Sequence, residues 1–202
     1  MDFRHSIIGE QFVSLAPSGE KAAPAFERLA VRYHEKHRRY HNFSHIQAGF
    51  REYQKFFEKA MPRNPFFAWA YHDAIYDPRA SDNEERSAAL FMEDSRELGI
   101  GIEDADHVAM MILTTTYKTN EGNIVTDMDL SGLGQPPDVY DNNVLRIRLE
   151  YDFVDNATWR TGRAAVLNQF LTRSPLYHTR EFAAAYTAQA HENIKRELAG
   201  LA

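Results

Sequence analysis

The chain contains no cysteine, which excludes disulfide bonds and thiolate metal sites throughout its 202 residues. It also has no apolar segment that approaches the length of a transmembrane helix. Its first residues contain no apolar run of signal-peptide length. We therefore expect a cytoplasmic protein without a membrane partner.

Internal repeats, low-complexity tracts and linkers that would divide the chain are also missing from the sequence. With 44% apolar residues, the chain is long enough to bury one sizeable core. The sequence therefore predicts a single domain over residues 1–202. The net charge of −6 argues against an extended nucleic-acid-binding face but allows a small phosphorylated ligand. Nothing in the sequence determines the oligomeric state.

Apolar residues recur at helical spacing through most of the chain, and no alternating run predicts a strand. Asn64-Pro65 is typical of a helix start, and Gly99 of a helix stop. A stretch at 124–133 stays unassigned because two glycines interrupt it. The predicted helices are 20–35, 42–60, 65–77, 82–98, 103–117, 137–156, 158–172 and 179–201. The sequence thus predicts an all-α helical bundle.

Two imidazoles and two carboxylates follow one another along the chain in the order His45, His72-Asp73, Asp129. Such side chains suit zinc, manganese or iron. The pair His72-Asp73 ends the apolar run 66–71, where burying it is costly unless something satisfies it. A metal ion would do so and would also activate water. Asp127 lies two residues before Asp129, and the residues alone do not decide which of these two acids is the ligand.

The chain resembles the HD superfamily of metal-dependent phosphohydrolases, and most closely a bacterial branch of predicted HD-type phosphohydrolases. The resemblance covers nearly the whole chain and implies an HD-type helical bundle with ligands His45, His72, Asp73 and Asp129. It rests on Tyr40-His41-Asn42, His45-Ile46, His72-Asp73, Tyr76-Asp77-Pro78, Asn83-Glu84-Glu85-Arg86-Ser87-Ala88, Asp129-Leu130, Leu133-Gly134, Arg148-Leu149-Glu150-Tyr151, Gly162-Arg163 and the C-terminal helix.

The segment Tyr40-His41-Asn42-Phe43-Ser44-His45 is also similar to one in the cyclic-nucleotide phosphodiesterases. In those enzymes the second histidine binds metal and the first protonates the leaving oxygen. The resemblance therefore implies that His45 is a ligand and His41 the general acid. The segment Asp129-Leu130-Ser131 matches the last ligand of the same enzymes, which favours Asp129 over Asp127.

A third resemblance concerns the HD-type hydrolases of guanosine polyphosphates, where acids four and five residues after the histidine place the attacking water. Here Asp77 stands five residues after His72, but Tyr76 occupies the fourth position. The implied catalytic set is His41, Asp73 and Asp77. Glu84 is a candidate for the water shell. The candidates for phosphate binding are Arg38, Arg39, Lys118 and Arg163, while Trp69 and Trp159 are interpreted as core residues.

These observations predict a hydrolase that cleaves a small phosphate ester, possibly a nucleotide, with one or two divalent ions of Mn, Zn, Fe, Ni, Co or Mg. Asp73 would bridge a second ion. One alternative is a di-iron HD oxygenase, which needs extra histidines, and His107 is the one histidine between Asp73 and Asp129. The other is a metal-stabilised nucleotide sensor without catalysis. Nucleoside monophosphates, cyclic nucleotides, guanosine polyphosphates and sugar phosphates all remain as substrates.

Overall fold

The computed structural model describes residues 6–201, which form ten α-helices and no strand. The helices are α1 Ile7–Leu15, α2 Gly19–Arg32, α3 Phe43–Phe56, α4 Arg63–Tyr71, α5 Asn83–Leu98, α6 Ile102–Leu113, α7 Ile124–Leu130, α8 Pro137–Glu150, α9 Asn156–Thr172 and α10 Arg180–Leu201. Short 3₁₀ turns follow α6 and α7. Within the described part of the chain, no helix is long and apolar enough to cross a membrane.

The predicted all-α fold is confirmed, and most helices lie where the apolar spacing placed them. Helix α5 ends as predicted at Gly99, which adopts a left-handed conformation with φ 74°. The first helix, α1, was not predicted, and the unassigned stretch 124–133 forms α7 and the 3₁₀ turn after it. The predicted domain also includes residues 1–5 and 202, which lie outside the described residues.

Helix α4 lies at the centre of the bundle, in contact with α1, α5, α6 and α7. Six consecutive residues of this helix are buried, so it is apolar on every side. The apolar run Phe66–Tyr71 therefore forms a core helix that delivers His72 to the interior. Among its side chains, Trp69 is in the core, as predicted.

The prediction that this helix continues to Asp77 is wrong, because α4 ends at Tyr71. Side chains satisfy the carbonyl groups that a continuing helix would have bonded. The hydroxyl of Tyr33 donates to the carbonyl of Ala70 at 2.9 Å, and the Nδ1 of His72 lies 2.8 Å from the carbonyl of Trp69. His72 is therefore the last residue with helical geometry, and Asp73 begins a turn.

Helices α8 and α9 form an outer wall with few buried side chains. In α8 the buried residues are Tyr140 and Glu150, and in α9 Leu167 is buried. Helix α9 packs on α10, and α8 packs on the 3₁₀ turn Ser131–Gly134. The interpretation of Trp159 as a core residue is wrong, because this side chain is half-buried and lines a cavity behind the wall.

Asp127 is fully buried and caps the longest helix, α10. Its carboxylate accepts hydrogen bonds from the backbone N–H groups of His178 and Thr179 and from the Thr179 hydroxyl, each at 2.7 Å. These donors lie just before α10, and a carboxylate placed near the start of a helix interacts favourably with the helix dipole. Asp127 therefore fixes the start of α10 against α7.

Asp127→Ala is expected to lower the free energy of unfolding by about 2–4 kcal/mol, because it leaves these buried donors without an acceptor. Urea unfolding followed by circular dichroism measures the change. The control is Asp106→Ala, which removes an exposed acid from α6. A variant that unfolds like the wild type yet binds no metal would make Asp127 a ligand and contradict this assignment.

Candidate metal centre and active site

Three helices bring His45, His72 and Asp129 to one point. His45 lies in the first turn of α3, His72 at the end of α4 and Asp129 near the end of α7. The Nε2 of His45 lies 3.3 Å from the Nε2 of His72 and 3.3 Å from Oδ1 of Asp129. The distance from His72 Nε2 to the same carboxylate oxygen is 3.7 Å. These three side chains form a group that could hold a metal ion.

Asp73 faces the same point from the turn after α4. Its Oδ2 lies 3.1 Å from His72 Nε2 and 3.8 Å from His45 Nε2. This oxygen is buried and has no hydrogen-bond partner. A buried carboxylate oxygen without a donor is costly unless a cation compensates it. His45, His72 and Asp129 could therefore hold a metal ion, and the unpartnered oxygen beside them supports the prediction of Asp73 as a fourth ligand.

The backbone and a tryptophan fix the orientation of His72. Its Nδ1 lies 2.8 Å from the Trp69 carbonyl, so a proton on Nδ1 leaves Nε2 free to bind metal. The Trp69 ring stacks on the imidazole with centroids 4.4 Å apart, and its Nε1 donates to the Ile46 carbonyl. Gly49 of α3 makes room for this ring, because a Cβ there would lie 2.2 Å from Trp69 Cζ2.

Tyr117 holds the carboxylate of Asp129 from the side opposite the histidines. Its hydroxyl donates to Asp129 Oδ2. Tyr117 has φ 55°, the one positive φ at a non-glycine residue in the described range 6–201. Such a backbone persists only where its surroundings fix it. Here the side chain of Gln169 donates to the Tyr117 carbonyl, and the ring packs against Phe170.

The negative charges of Asp73 and Asp129 and the positive charge of the neighbouring histidines compensate each other. Burial on its own raises the pKa of the Asp73 and Asp129 carboxyls. The positive charge of His72 beside Asp73, and the contacts of His45 and His72 with Asp129, lower both pKa values below the usual range. Burial lowers the pKa of His72, and the two carboxylates raise it well above its usual value. Both acids therefore stay ionised, and metal binding requires His72 to release its proton.

His41 pairs with a buried acid, Glu150, which ends α8. The Nδ1 of His41 lies 2.6 Å from Glu150 Oε2, and the Tyr76 hydroxyl donates to the same oxygen at 2.9 Å. Burial lowers the pKa of His41. The hydrogen bond to Glu150 and the negative charges of Asp73, Glu150 and Asp129 more than offset burial, so the pKa is raised. Glu150 thereby orients the His41 imidazole through Nδ1 and favours its protonated form.

Glu150 also fixes the backbone of the segment that carries His41. Its Oε1 accepts three backbone N–H groups, those of Arg39, Tyr40 and His41, at 2.7–2.8 Å. Burial raises the pKa of Glu150, but His41 and these donors lower it by more than burial raises it, to about 2. Sequence reasoning did not assign this residue a role. The available signal was an acid on the apolar stripe of α8, one position before Tyr151.

Arg38 binds backbone rather than phosphate, in contrast to its interpretation as a phosphate-binding candidate. Its side chain is fully buried, and its guanidinium donates to the carbonyls of His41, Asp73 and Ala74 at 3.0, 2.6 and 3.0 Å. Its Nε also donates to Glu35 at 2.9 Å. Arg38 thereby ties the segment before α3 to the turn after α4.

The other predicted site residues take different positions. Asp77 is exposed, and its carboxylate accepts the N–H of Arg79 in a turn. Lys118 forms an exposed ion pair with Glu85 at 2.9 Å. Glu84 is half-buried, and burial followed by the negative charges of Asp73, Glu85 and Asp129 raises its pKa. Of these residues, Glu84 alone interacts electrostatically with the cluster.

Two further candidates have partners away from the metal ligands. Arg163 lines the cavity beside the cluster, but Glu197 binds its guanidinium through two hydrogen bonds of 2.8 and 3.0 Å. His107 is exposed on α6, with its Nδ1 3.5 Å from the amide of Asn64. The structure therefore does not place the extra histidine of the oxygenase alternative at the cluster.

Comparison of the chain with models of protein families, with curated proteins and with solved structures gave no match. The resemblance to HD phosphohydrolases therefore stays a prediction, and function is argued from the geometry of the site.

Gly49→Ala is expected to displace Trp69 and, through it, His72. Overpacking of this kind costs about 1–3 kcal/mol of stability. Loss of a group that orients a ligand weakens metal binding by about 10–100-fold. Urea unfolding and competition with a chromophoric chelator measure the two effects. Gly200→Ala is the matched control, because a Cβ there meets nothing within 4 Å. Unchanged metal affinity in Gly49→Ala would show that Trp69 does not position His72.

Glu150 makes stability depend on pH in acid. The pKa of Glu150 is about 2 in the folded protein and near the ordinary value of a glutamate in the unfolded chain. Ionised Glu150 therefore stabilises the fold at every pH above that ordinary pKa. This contribution, at most about 3 kcal/mol, is lost as the pH falls towards 2. Unfolding free energies of the wild type and Glu150→Gln should therefore converge on acidification. Parallel curves would contradict the assigned role.

Proposed function

We propose that this protein is a metal-dependent phosphohydrolase that cleaves a phosphate ester of a small organic molecule. The observation that carries the proposal is the position of the His41–Glu150 pair beside the His45, His72, Asp73 and Asp129 side chains. A metal site next to an imidazole that a buried carboxylate orients suits hydrolysis with assisted departure of the leaving group.

A divalent ion bound by His45, His72, Asp73 and Asp129 would lower the pKa of a water molecule and withdraw charge from a phosphoryl oxygen. The four side chains supply nitrogen and carboxylate oxygen, which suits manganese, zinc, iron, nickel or cobalt better than magnesium. The orphaned Oδ2 of Asp73 supports its place among these ligands. Asp73 is also the residue available to contact a second ion.

His41 acts as the general acid in this proposal. The oxygen of water forms a bond to phosphorus, and the bond from phosphorus to the ester oxygen breaks. The leaving oxygen takes the proton of the His41 imidazolium, and the proton that the attacking water releases restores the imidazolium, so the products are phosphate and an alcohol. Glu150 remains ionised and keeps the imidazole oriented, as an acid behind a catalytic histidine does. The raised pKa of His41 supports its protonated form near neutral pH.

The proposal is tested with metal-free protein loaded in turn with Mn, Zn, Fe, Ni, Co and Mg ions. Hydrolysis of aryl phosphate monoesters and diesters, nucleotides and sugar phosphates is followed by release of phosphate or alcohol. We expect turnover with at least one metal and loss of turnover on chelation. Absence of hydrolysis with every metal and substrate would refute the proposal. Tight nucleotide binding without turnover would instead favour the sensor.

Alanine variants separate the ligands from the general acid. His45→Ala and Asp129→Ala should lose bound metal and activity together. His41→Ala should retain metal and lose turnover by about 10²–10⁴-fold, the usual contribution of a general acid. Metal content is measured by atomic emission on dialysed protein. Equal metal loss in His41→Ala and His45→Ala would show that the assigned roles are wrong.

A further inference from the structure

A cavity of about 470 Å³ opens beside the candidate metal centre, on the side of His41. Asp129 and His41 form its inner end, and the space between α8, α9 and the body of the bundle forms the rest. A volume of this size is in the range that holds a small organic molecule. The lining is dominated by aromatic and aliphatic side chains, including Tyr117, Val144, Ile147, Tyr151, Trp159 and Phe170.

The apolar stripes of α8 and α9 face this cavity instead of a packed core. Val144, Ile147 and Tyr151 follow one another at intervals of three and four residues on α8. Trp159, Val166 and Phe170 extend along α9 on one face. Such spacing normally buries a helix against its neighbours. Here these side chains are only partly covered, so an apolar ligand would remove further surface from water.

Charge in the cavity wall lies almost entirely at the inner end. Beyond His41 and Asp129, the one ionised lining residue among those described is Arg163. Glu197 neutralises it through two hydrogen bonds and is itself nearly buried. A second phosphate or a carboxylate in the cavity would therefore have no free cation and would lose its hydration. The cavity favours an uncharged ligand.

A second, more polar cavity of about 290 Å³ adjoins the first and shares Asp129 with it. It is lined by His45 together with Ser44, Asn142 and Arg146. His41 lines the apolar cavity and not this polar one. Since the general acid contacts the leaving oxygen, the group that departs lies in the apolar cavity.

Gly162 widens the apolar cavity. It stands in the middle of α9, three residues after Trp159 and four before Val166, so it belongs to the face that lines the cavity. A glycine inside a helix costs about 0.5–1 kcal/mol relative to alanine. A Cβ at this position would meet nothing within 4 Å, so close packing does not require glycine here. A large side chain at position 162 would instead reduce the space for a ligand.

We infer that the leaving group of the substrate is an uncharged, apolar alcohol that contains a ring and occupies this cavity. The inference rests on the proposed phosphohydrolase function and specifies its substrate class. Water oxygen bonds to phosphorus, the bond from phosphorus to the ring-bearing alcohol breaks, and His41 supplies the proton that the alcohol oxygen gains. The proton that the water loses restores the His41 imidazolium. Esters with a charged group on the ring, including those with a further phosphate there, are poor substrates.

The test compares three esters of primary alcohols: 4-phenylbenzyl phosphate, its 4′-carboxylate and ethyl phosphate. Using the activating metal, we expect kcat/KM for 4-phenylbenzyl phosphate to exceed that for ethyl phosphate by about 10²-fold or more, because two rings leave water. The 4′-carboxylate should lose about 10²-fold relative to the uncharged ester, because its charge is desolvated without a partner.

Gly162→Phe should reduce the preference for the 4-phenylbenzyl ester over ethyl phosphate by at least about 10-fold. Gly200→Phe is the matched control, since Gly200 is also helical and has open space around its Cβ but lies outside the cavity. Thermal unfolding verifies that each variant is folded. Ile147→Trp fills the same cavity from α8 and takes the place of Gly162→Phe if that variant does not fold.

A second readout needs neither metal nor turnover. Saturation-transfer NMR should detect 4-phenylbenzyl alcohol on the metal-free wild type and on Gly200→Phe, with a reduced signal on the cavity-filling variant. Equal kcat/KM for the three esters without alcohol binding would overturn the inference and leave phosphohydrolase activity intact. Alcohol binding with no hydrolysis of any ester would overturn the proposed function, and with it the assignment of a leaving group.

Discussion

The buried guanidinium of Arg38 is the interaction on which the geometry of this site depends. It joins two backbone segments, one that leads into α3 and one that leaves α4, through carbonyls of His41, Asp73 and Ala74. Tyr33 and Tyr76 flank it with ring centroids 5.1 and 5.5 Å from its Cζ. A lysine has neither the planar fork nor the number of donors for this arrangement. One cation thus satisfies carbonyls both before α3 and in the turn after α4, while Tyr33 and His72 satisfy carbonyls of the last turn of α4.

The helices could be predicted from local sequence, because apolar spacing and helix caps are local properties. The candidate metal ligands could also be predicted, because an ionisable pair directly after the apolar run of α4 is unusual. The end of α4 could not be predicted, since Arg38 and Tyr33 supply donors from distant positions. The role of Glu150 could not be predicted for the same reason, because it accepts hydrogen bonds from backbone N–H groups about 110 residues earlier in the chain. An acid on an apolar helix face is unusual in the sequence, but only the fold shows which groups it binds.

The apolar spacing of α8 and α9 shows a different limit of sequence reasoning. A helix that faces a cavity and a helix that faces a core have the same periodicity, so Trp159 was interpreted as a core residue. Arg163 was favoured as a phosphate-binding residue because it lies in a helix rather than in a charge run, and its pairing with Glu197, 34 residues further along the chain, has no local signal. Composition distinguishes apolar from polar faces, but only the fold determines whether neighbouring helices fill the space between them.

Helix α7 has seven residues, and its two aspartates face different parts of the protein: Asp129 faces the histidines, and Asp127 holds the first turn of α10. A helix this short is ordered by its contacts rather than by its own propensity. Occupancy of the ligand position by a cation and docking of the C-terminal helix are therefore thermodynamically linked, since each favours the same placement of α7. A cation bound at Asp129 would therefore slow amide exchange at the start of α10, which is linked to the site through α7.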